Sequence, residues 1–298
     1  MSSARSEHAH ERPPVSVLVP VYNEEERLEQ TLQGLLDSID RIDTAAEVIV
    51  VDDGSTDRTP EILRRFPTVR TLRNHTNRGY GASLKRGICA ARGEVIVITD
   101  ADGTYPHERV QDLLGLLTPD SEMVVGWRRG FRARIPLARR PAKLVLRKLA
   151  ESLAGYSIPD LNSGLRVFRR ELALRHLGLL PDGFSFTTTI TLLVASEGGR
   201  IVYEPIEYGK RTGRSKFRPV RDTWEMVTLV VRSVLLFNPL RVFVPIALIL
   251  IAAAIGVLVV ALLYAERIPD GTITVLFTAG IQFIMLGLLA DLINRRSR

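Results

Sequence analysis

Acidic side chains gather at three places in the first third of the chain, each just after a short apolar run. They are Asn23-Glu24-Glu25-Glu26, Asp52-Asp53-Gly54-Ser55-Thr56-Asp57 and Asp100-Ala101-Asp102-Gly103. Clustered carboxylates repel one another unless a cation or a donor-rich ligand joins them. Asp100 and Asp102 can point two carboxylates at a hard cation. Oxygen ligands of this kind suit Mg²⁺ or Mn²⁺ bridging to phosphate oxygens. Each cluster also has a plainer reading: the Glu run favours a helix N-terminus through the dipole, and Ser55, Thr56 and Asp57 can cap a helix. Repetition at three strand ends is what points to a ligand. A basic block follows. Between Gly126 and Ala150 there are nine Lys or Arg and no acid, more than the net charge of +7 of the whole chain. Such a block suits nucleic acid, a membrane surface or a phosphorylated substrate.

The elements that must carry these groups alternate. Val15–Val21 reads as a buried strand from its β-branched run, Glu47–Val51 as a second, Val69–Leu72 as a short third, Val95–Thr99 as a fourth and Met123–Val125 as a fifth. Helical patterns fall at 24–38, 58–66, 82–91 and 107–117. This rhythm implies an α/β fold, a mostly parallel sheet covered by helices. In such sheets ligands sit beyond the carboxyl ends of the strands, where the acids are. No Gly-x-Gly-x-x-Gly follows the first strand and no Walker lysine motif is present. The glycine-bearing loop Asn77-Arg78-Gly79-Tyr80-Gly81 is a weak signal alone.

The C-terminal fifth has another character. Val242 to Tyr264 is uncharged and as a helix reaches roughly 34 Å, enough for a hydrocarbon core of about 30 Å. A polar link with Pro269-Asp270-Gly271 leads to a second apolar run over Thr272–Ile293, which carries Gln282 and Asp291. Arg241 precedes the first run, and Arg295, Arg296 and Arg298 follow the second. The positive-inside rule then places both termini in the cytoplasm. The expected product is an integral protein of the inner membrane or its equivalent, with a cytoplasmic catalytic domain. Two basic or apolar-faced helices, over 137–153 and just before the first span, are suited to lie on an anionic membrane surface or to pack on the sheet.

The quoted segments resemble glycosyltransferase family 2 with its GT-A fold, and more narrowly the dolichyl-phosphate mannose synthase group, which makes polyprenyl-phosphate sugars. The matching pieces are VPVYNEEE at 19–26, VDDGSTDRT at 51–59, NRGYGASLKRG at 77–87, TDADGTYP at 99–106, DLNSGLRVFRR at 160–170, RTGRSK at 211–216 and FNPLRVF at 237–243. The resemblance implies that Pro20, Tyr22, Glu24, Val51 and Asp53 contact the nucleotide. It implies that Asp100, Ala101 and Asp102 form the DxD motif, which holds Mg²⁺ or Mn²⁺ and the sugar diphosphate. Arg211 and Lys216 become phosphate contacts on a mobile basic loop, with Lys210 replacing Arg211 if the register differs by one. Arg128, Arg139, Arg140, Lys143 and Ser163 become candidates for the acceptor phosphate, and Asp160 either acts there or forms a turn. Thr104 stands where mannose synthases of the group carry Gln, which weighs against GDP-mannose and towards a UDP-sugar. The implied reaction is inverting transfer from a UDP- or GDP-sugar to a polyprenyl or dolichyl phosphate.

Domain organisation follows: a disordered tail at 1–14, a GT-A domain at 15–215, a juxtamembrane region at 216–241, two transmembrane helices at 242–293 and a basic tail at 294–298. The hydrophobic share of 46% and charged share of 24% exclude a disordered chain. A single cysteine, Cys89, excludes an internal disulfide and a Cys-based zinc site. The first fourteen residues lack an apolar core, so no secretory signal is expected. The five His show no metal spacing. No nucleic-acid module is recognisable, and the anchor gives the basic residues another partner. Two spans are few, so subunits of a homo-oligomer could share lipid-binding grooves. A processive polysaccharide synthase and a non-catalytic sugar-nucleotide-binding subunit remain as alternatives. The first usually carries Gln-x-x-Arg-Trp, whereas Trp224 here follows Arg221-Asp222-Thr223.

Overall fold

The computed structural model describes residues 15–41, 44–129, 144, 147–148, 151–152, 155–209, 228, 239–264 and 270–296. They form two units, dividing at Met226 and Val227. The first unit holds a seven-stranded sheet: β1 Val15–Val21, β2 Ala46–Asp52, β3 Arg70–Arg73, β4 Val95–Ile98, β5 Met123–Arg128, β6 Arg166–Arg169 and β7 Ile201–Ile206. Its order is β3-β2-β1-β4-β6-β5-β7. All neighbours are parallel except β6, which runs antiparallel to β4 and β5. The reversal brings the start of β6 to the same sheet edge as the ends of the other strands, since Arg166 pairs with Ile98 and Val125.

Both faces of the sheet are covered, which explains the continuous Val/Ile runs. On one face Val17, Val19, Val50 and Val97 meet Leu28, Leu32, Leu35 and Ile39 of α1 (Leu28–Ile39) and Val110 and Leu113 of α4 (Val110–Gly115). Spacings of four, three and four place the α1 residues on one stripe; burying each such side chain contributes about 1.5–3 kcal/mol. On the other face α3 (Tyr80–Ala90) packs so closely that a Cβ on Gly87 would lie 3.2 Å from Leu18 Cδ2. The short helices α2 (Thr59–Leu63) and α5 (Arg170–Arg175) and the buried α6 (Phe186–Ser196) complete the unit.

Three elements differ from their sequence expectation. Helix α1 begins at Leu28 rather than Glu24, because the acidic segment is tied to the end of β2. Glu24 N donates to Thr59 Oγ1 at 3.0 Å and Glu25 N to Asp57 Oδ2 at 3.1 Å, and Asn23 is left-handed at φ 51°. The expected helix at 107–117 is a 3₁₀ turn over His107–Arg109 followed by α4. Strand β5 continues to Arg128, and β6 and β7 join it.

The second unit is a helical pair, α7 (Leu240–Tyr264) and α8 (Asp270–Arg296). Within these, Phe243–Leu263 and Asp270–Ile293 are long and apolar enough to cross a membrane, with mean hydropathies of 3.2 and 2.1. Only 17% and 11% of their most apolar windows are buried, unlike the core helices of a soluble protein. Small residues make the seam: Ala247, Ala254 and Ala261 of α7 are buried at seven-residue spacing. Opposite them, a Cβ on Gly280 would lie 2.6 Å from Ile251 Cγ1, and one on Gly287 2.8 Å from Phe243 Cβ. Close backbone approach of this kind is how helices pair in lipid. The expected tail at 1–14, most of the two interfacial helices, and 265–269 lie outside the described residues.

Candidate active site

The three acidic strand ends lie side by side at the carboxyl edge of β2, β1 and β4. The first two are laced together: Asn23 N donates to Ser55 Oγ at 3.0 Å, Thr56 N to Asn23 Oδ1 at 2.8 Å, and Arg58 N to Glu25 Oε2 at 3.0 Å. Pro20 faces Val51 in the ladder, and Tyr22 and Glu24 are partly buried just beyond. Val51, expected at the nucleotide, is buried. Asp53, expected at the nucleotide, is 4% exposed and accepts from Asn74 Nδ2 at 2.7 Å, Arg78 N at 3.0 Å and Gly79 N at 2.8 Å. Its observed work is to hold the 74–79 loop. That loop is pinned from the far side too: Gly79 has φ +106°, and a Cβ there would lie 2.5 Å from Asp182 O. The weak glycine motif is therefore a docking surface for the 181–184 segment.

Asp100 and Asp102 follow β4, and Ala101 between them is buried. Tyr80 donates its hydroxyl to Asp100 Oδ1 at 3.0 Å. Thr104 donates to Asp102 Oδ1 from its hydroxyl at 2.6 Å and from its N–H at 3.2 Å. Burial and then the Asp100 charge push the Tyr80 hydroxyl well above its ordinary pKa, so it stays a donor. The room for Asp100 comes from Gly164: a Cβ there would lie 2.6 Å from Oδ2 and 2.9 Å from Cγ. Two oriented carboxylates with cleared space fit a hard divalent cation. Among the described residues no cluster of three or more His, Cys, Asp or Glu could hold a metal alone. The remaining ligands of such an ion would be diphosphate oxygens and water, as Mg²⁺ and Mn²⁺ accept. Gly164→Ala should therefore raise the Mn²⁺ concentration for half-maximal activity and lower kcat by about 10²-fold. A Mn²⁺ titration of activity checks this.

The neighbouring side of the site is basic and aromatic. Arg128, at the end of β5, makes a two-pronged pair with Asp160, Nε to Oδ2 at 2.7 Å and Nη2 to Oδ1 at 2.8 Å. Their side chains are 15% and 11% exposed. The guanidinium also lies 5.3 Å from the ring centre of Tyr208, which meets Tyr105 edge-on. Tyr105 accepts the N–H of Gly164 at 2.6 Å. Ser163 is a correction: expected at an acceptor phosphate, it is fully buried and donates its hydroxyl to Gly126 O at 2.6 Å. It braces the turn against β5. Arg139, Arg140, Lys143, Lys210, Arg211 and Lys216 lie outside the described residues. The last described residue before the 210–216 segment is Gly209, whose N–H donates to Thr104 O at 2.9 Å, beside Asp102.

Sequence reasoning missed Tyr80, Tyr105, Tyr208, Gly164 and Arg166. Tyr80, Tyr105, Gly164 and Arg166 were inside quoted motifs, but nothing in their spacing revealed that they converge on Asp100 or on the turn beside it.

A family model described as "Glycosyl transferase family 2" matches residues 16–177, and one described as "GtrB C-terminal hairpin" matches 238–295. A dolichyl-phosphate hexose transferase of Haloferax volcanii is 34% identical over 207 residues, 69% of this chain and 87% of that protein. An undecaprenyl-phosphate 4-deoxy-4-formamido-L-arabinose transferase of Pseudomonas syringae is 29% identical over 94% of this chain and 86% of its own length. Among solved structures, glucosyl-3-phosphoglycerate synthase of Mycobacterium tuberculosis with Mn²⁺, UDP-glucose and phosphoglyceric acid is 25% identical. Its TM-score is 0.58, over 77% of this chain and 81% of that one.

Proposed function

The chain belongs to glycosyl transferase family 2, and on that premise we propose that it moves a sugar from a nucleotide sugar to a polyprenyl phosphate at a membrane. One observation carries the acceptor: similarity to the undecaprenyl-phosphate sugar transferase runs over 94% of the chain, sheet and hairpin together. The donor end is supported by the Asp100/Asp102 pair and by the UDP-glucose and Mn²⁺ held by the mycobacterial neighbour. Asp100 and Asp102 would hold Mg²⁺ or Mn²⁺. When bound, the ion supplies positive charge to the leaving diphosphate.

The chain's own residues do the rest. Tyr80 and Thr104 fix the orientation of the two carboxylates. Arg211 and Lys216, in the segment that follows Gly209, add positive charge where the diphosphate develops its negative charge. The acceptor has a second pKa of about 6, by analogy with phosphorylated side chains. Much of it is therefore dianionic at neutral pH and has no hydroxyl proton to lose. It needs positioning and partial neutralisation rather than a strong base. Arg128, Arg139 and Arg140 serve that need, since guanidinium grips phosphate with two donors, and Lys143 adds a point charge. A single displacement from the opposite side inverts the anomeric carbon.

The domain organisation and topology belong to the same reading: a GT-A domain at 15–215, a juxtamembrane region at 216–241 and two spans at 242–293, with both termini cytoplasmic. Gln282 lies exposed near the middle of the second span. An amide at that depth favours a partner on another helix, which supports a homo-oligomer. Crosslinking in native membranes should give dimers or larger species; monomers alone would remove the oligomer from the account.

The test of the reaction uses the full chain in nanodiscs with Mn²⁺, polyprenyl phosphate and a panel of UDP- and GDP-sugars, read by mass spectrometry of the lipid. A lipid-phosphate sugar from one donor is expected, with a UDP-sugar favoured. Nucleotide binding without a lipid product from any donor would support a different acceptor or a non-catalytic subunit.

A further inference from the structure

Both halves of the site rest on one turn, residues 160–164. Asp160 at its start holds Arg128 on the acceptor side, and Gly164 at its end clears the space occupied by Asp100 on the donor side. The turn has its own clamp. Arg166, two residues further on at the start of β6, is fully buried. Its Nε donates to Ser163 O at 2.6 Å and its Nη2 to Leu161 O at 2.7 Å, so one planar fork grips two carbonyls of the turn. Its Nη1 reaches across to Thr191 Oγ1 on α6 at 2.6 Å and to Met123 Sδ at 3.7 Å. The turn, β5 and α6 are thereby joined through one side chain.

Every one of these acceptors is neutral. Among the described residues no carboxylate lies within ion-pair distance of Arg166, although eleven other Lys, Arg or His side chains do have acidic partners. The Asp160 charge acts on Arg166 only through space; a buried guanidinium without a counter-ion in contact is unfavourable, and an apolar side chain would fill the same space without that penalty. What an apolar side chain lacks is five N–H groups in a fixed plane.

We propose that Arg166 is a positioning residue for sugar transfer, fixing the 160–164 turn so that the Asp100 carboxylate and the Arg128–Asp160 pair stand in one geometry. It touches no reacting atom and acts through Gly164 and Asp160. The proposal rests on the glycosyltransferase reading of the site, and its test separates the two.

The test compares wild type with Arg166→Lys, which keeps the charge and loses the fork, and Arg166→Gln, which is neutral and easier to bury. All are full-length in nanodiscs, with thermal melting to establish the folded fraction. Nucleoside diphosphate affinity is measured with and without Mn²⁺, and kcat and KM are measured for donor and acceptor. In the folded variants kcat should fall about 10²-fold, the loss typical of a misplacement near 1 Å. The Mn²⁺ concentration needed to tighten nucleotide binding should rise at least about 5-fold, because Gly164 no longer clears Asp100. Metal-free nucleotide affinity should stay within about 3-fold, since Pro20 to Asp53 are supported by other contacts. A variant that melts earlier yet keeps wild-type kcat and Mn²⁺ dependence in its folded fraction would reduce Arg166 to a stability role and overturn the proposal. If wild type transfers no sugar, the function reading fails, while the Mn²⁺ dependence of nucleotide binding still tests Arg166.

Discussion

Asp102→Ala is expected to lower kcat by about 10³-fold, the upper range for removing one stabiliser of developing negative charge. In the proposed site Asp100 and Asp102 would hold the divalent ion, and Thr104 fixes Asp102 through its hydroxyl and its N–H. The loss should appear in kcat at saturating donor, because the ion's contribution grows as the diphosphate departs. Metal-free nucleotide binding should stay within a few-fold. Thr104→Val should lose less, about 10-fold, as is usual for a group that orients a metal ligand. Steady-state rates across a Mn²⁺ series read both variants. If Asp102→Ala retained wild-type kcat at any Mn²⁺ concentration, the motif would not be the metal site.

Arg128→Met should produce the second large effect, on stability as well as rate. It leaves Asp160, 11% exposed, without its guanidinium. Breaking a buried pair from one side costs about 3–5 kcal/mol, whereas replacing both partners with apolar groups is often neutral. The double variant Arg128→Met, Asp160→Leu should therefore recover most of the melting temperature while remaining inactive. That separates the pair's structural share from its share in placing the acceptor. Burial alone would raise the Asp160 carboxyl, but hydrogen bonds and charge from Arg128 outweigh it and hold the folded pKa below its ordinary value. The pair's stabilisation is then complete above the unfolded carboxyl pKa of about 3.9 and is lost as pH falls through the lower folded value. Arg128 is held above the ordinary arginine range, so its share is present throughout neutral pH. The stability of wild type relative to the double variant should be flat from about pH 5 to 8 and should fall below about pH 4. Denaturant melts across that range measure it.

The parts of the fold that were legible in the sequence are those where one residue pattern has one physical reading. Val15–Val21 and Val95–Ile98 are buried on both faces, so their apolar runs announce strands. The two C-terminal runs are too long and apolar for ordinary core helices. Strand β6 is only Arg-Val-Phe-Arg, and its arginines hid a central strand. One of those arginines, Arg166, is a fully buried cation, which no pattern of apolar residues anticipates. The start of α1 was misplaced for a related reason: hydrogen bonds from the 23–25 backbone to Ser55, Thr59 and Asp57 override local helix preference. In the site, Asp100 and Asp102 were legible as a pair of carboxylates just beyond a strand, because an apolar run ends where they begin. Ser163 was not, because a hydroxyl in a turn serves a phosphate or a backbone carbonyl equally well, and here it serves Gly126. Tyr80 reaches Asp100 from twenty residues away, a contact only the fold creates.

The most direct measurement of the central claim is the nucleotide released per lipid modified. The full chain in nanodiscs, with Mn²⁺, the productive nucleotide sugar and polyprenyl phosphate, should release one nucleoside diphosphate for each sugar gained by the lipid. The lipid should carry a single phosphate, and neither product should form without it. Release of nucleoside monophosphate with a lipid diphosphate would mean that a sugar phosphate moves instead. Diphosphate release that ignores the lipid would mean the acceptor is not a polyprenyl phosphate. Either result would contradict the account.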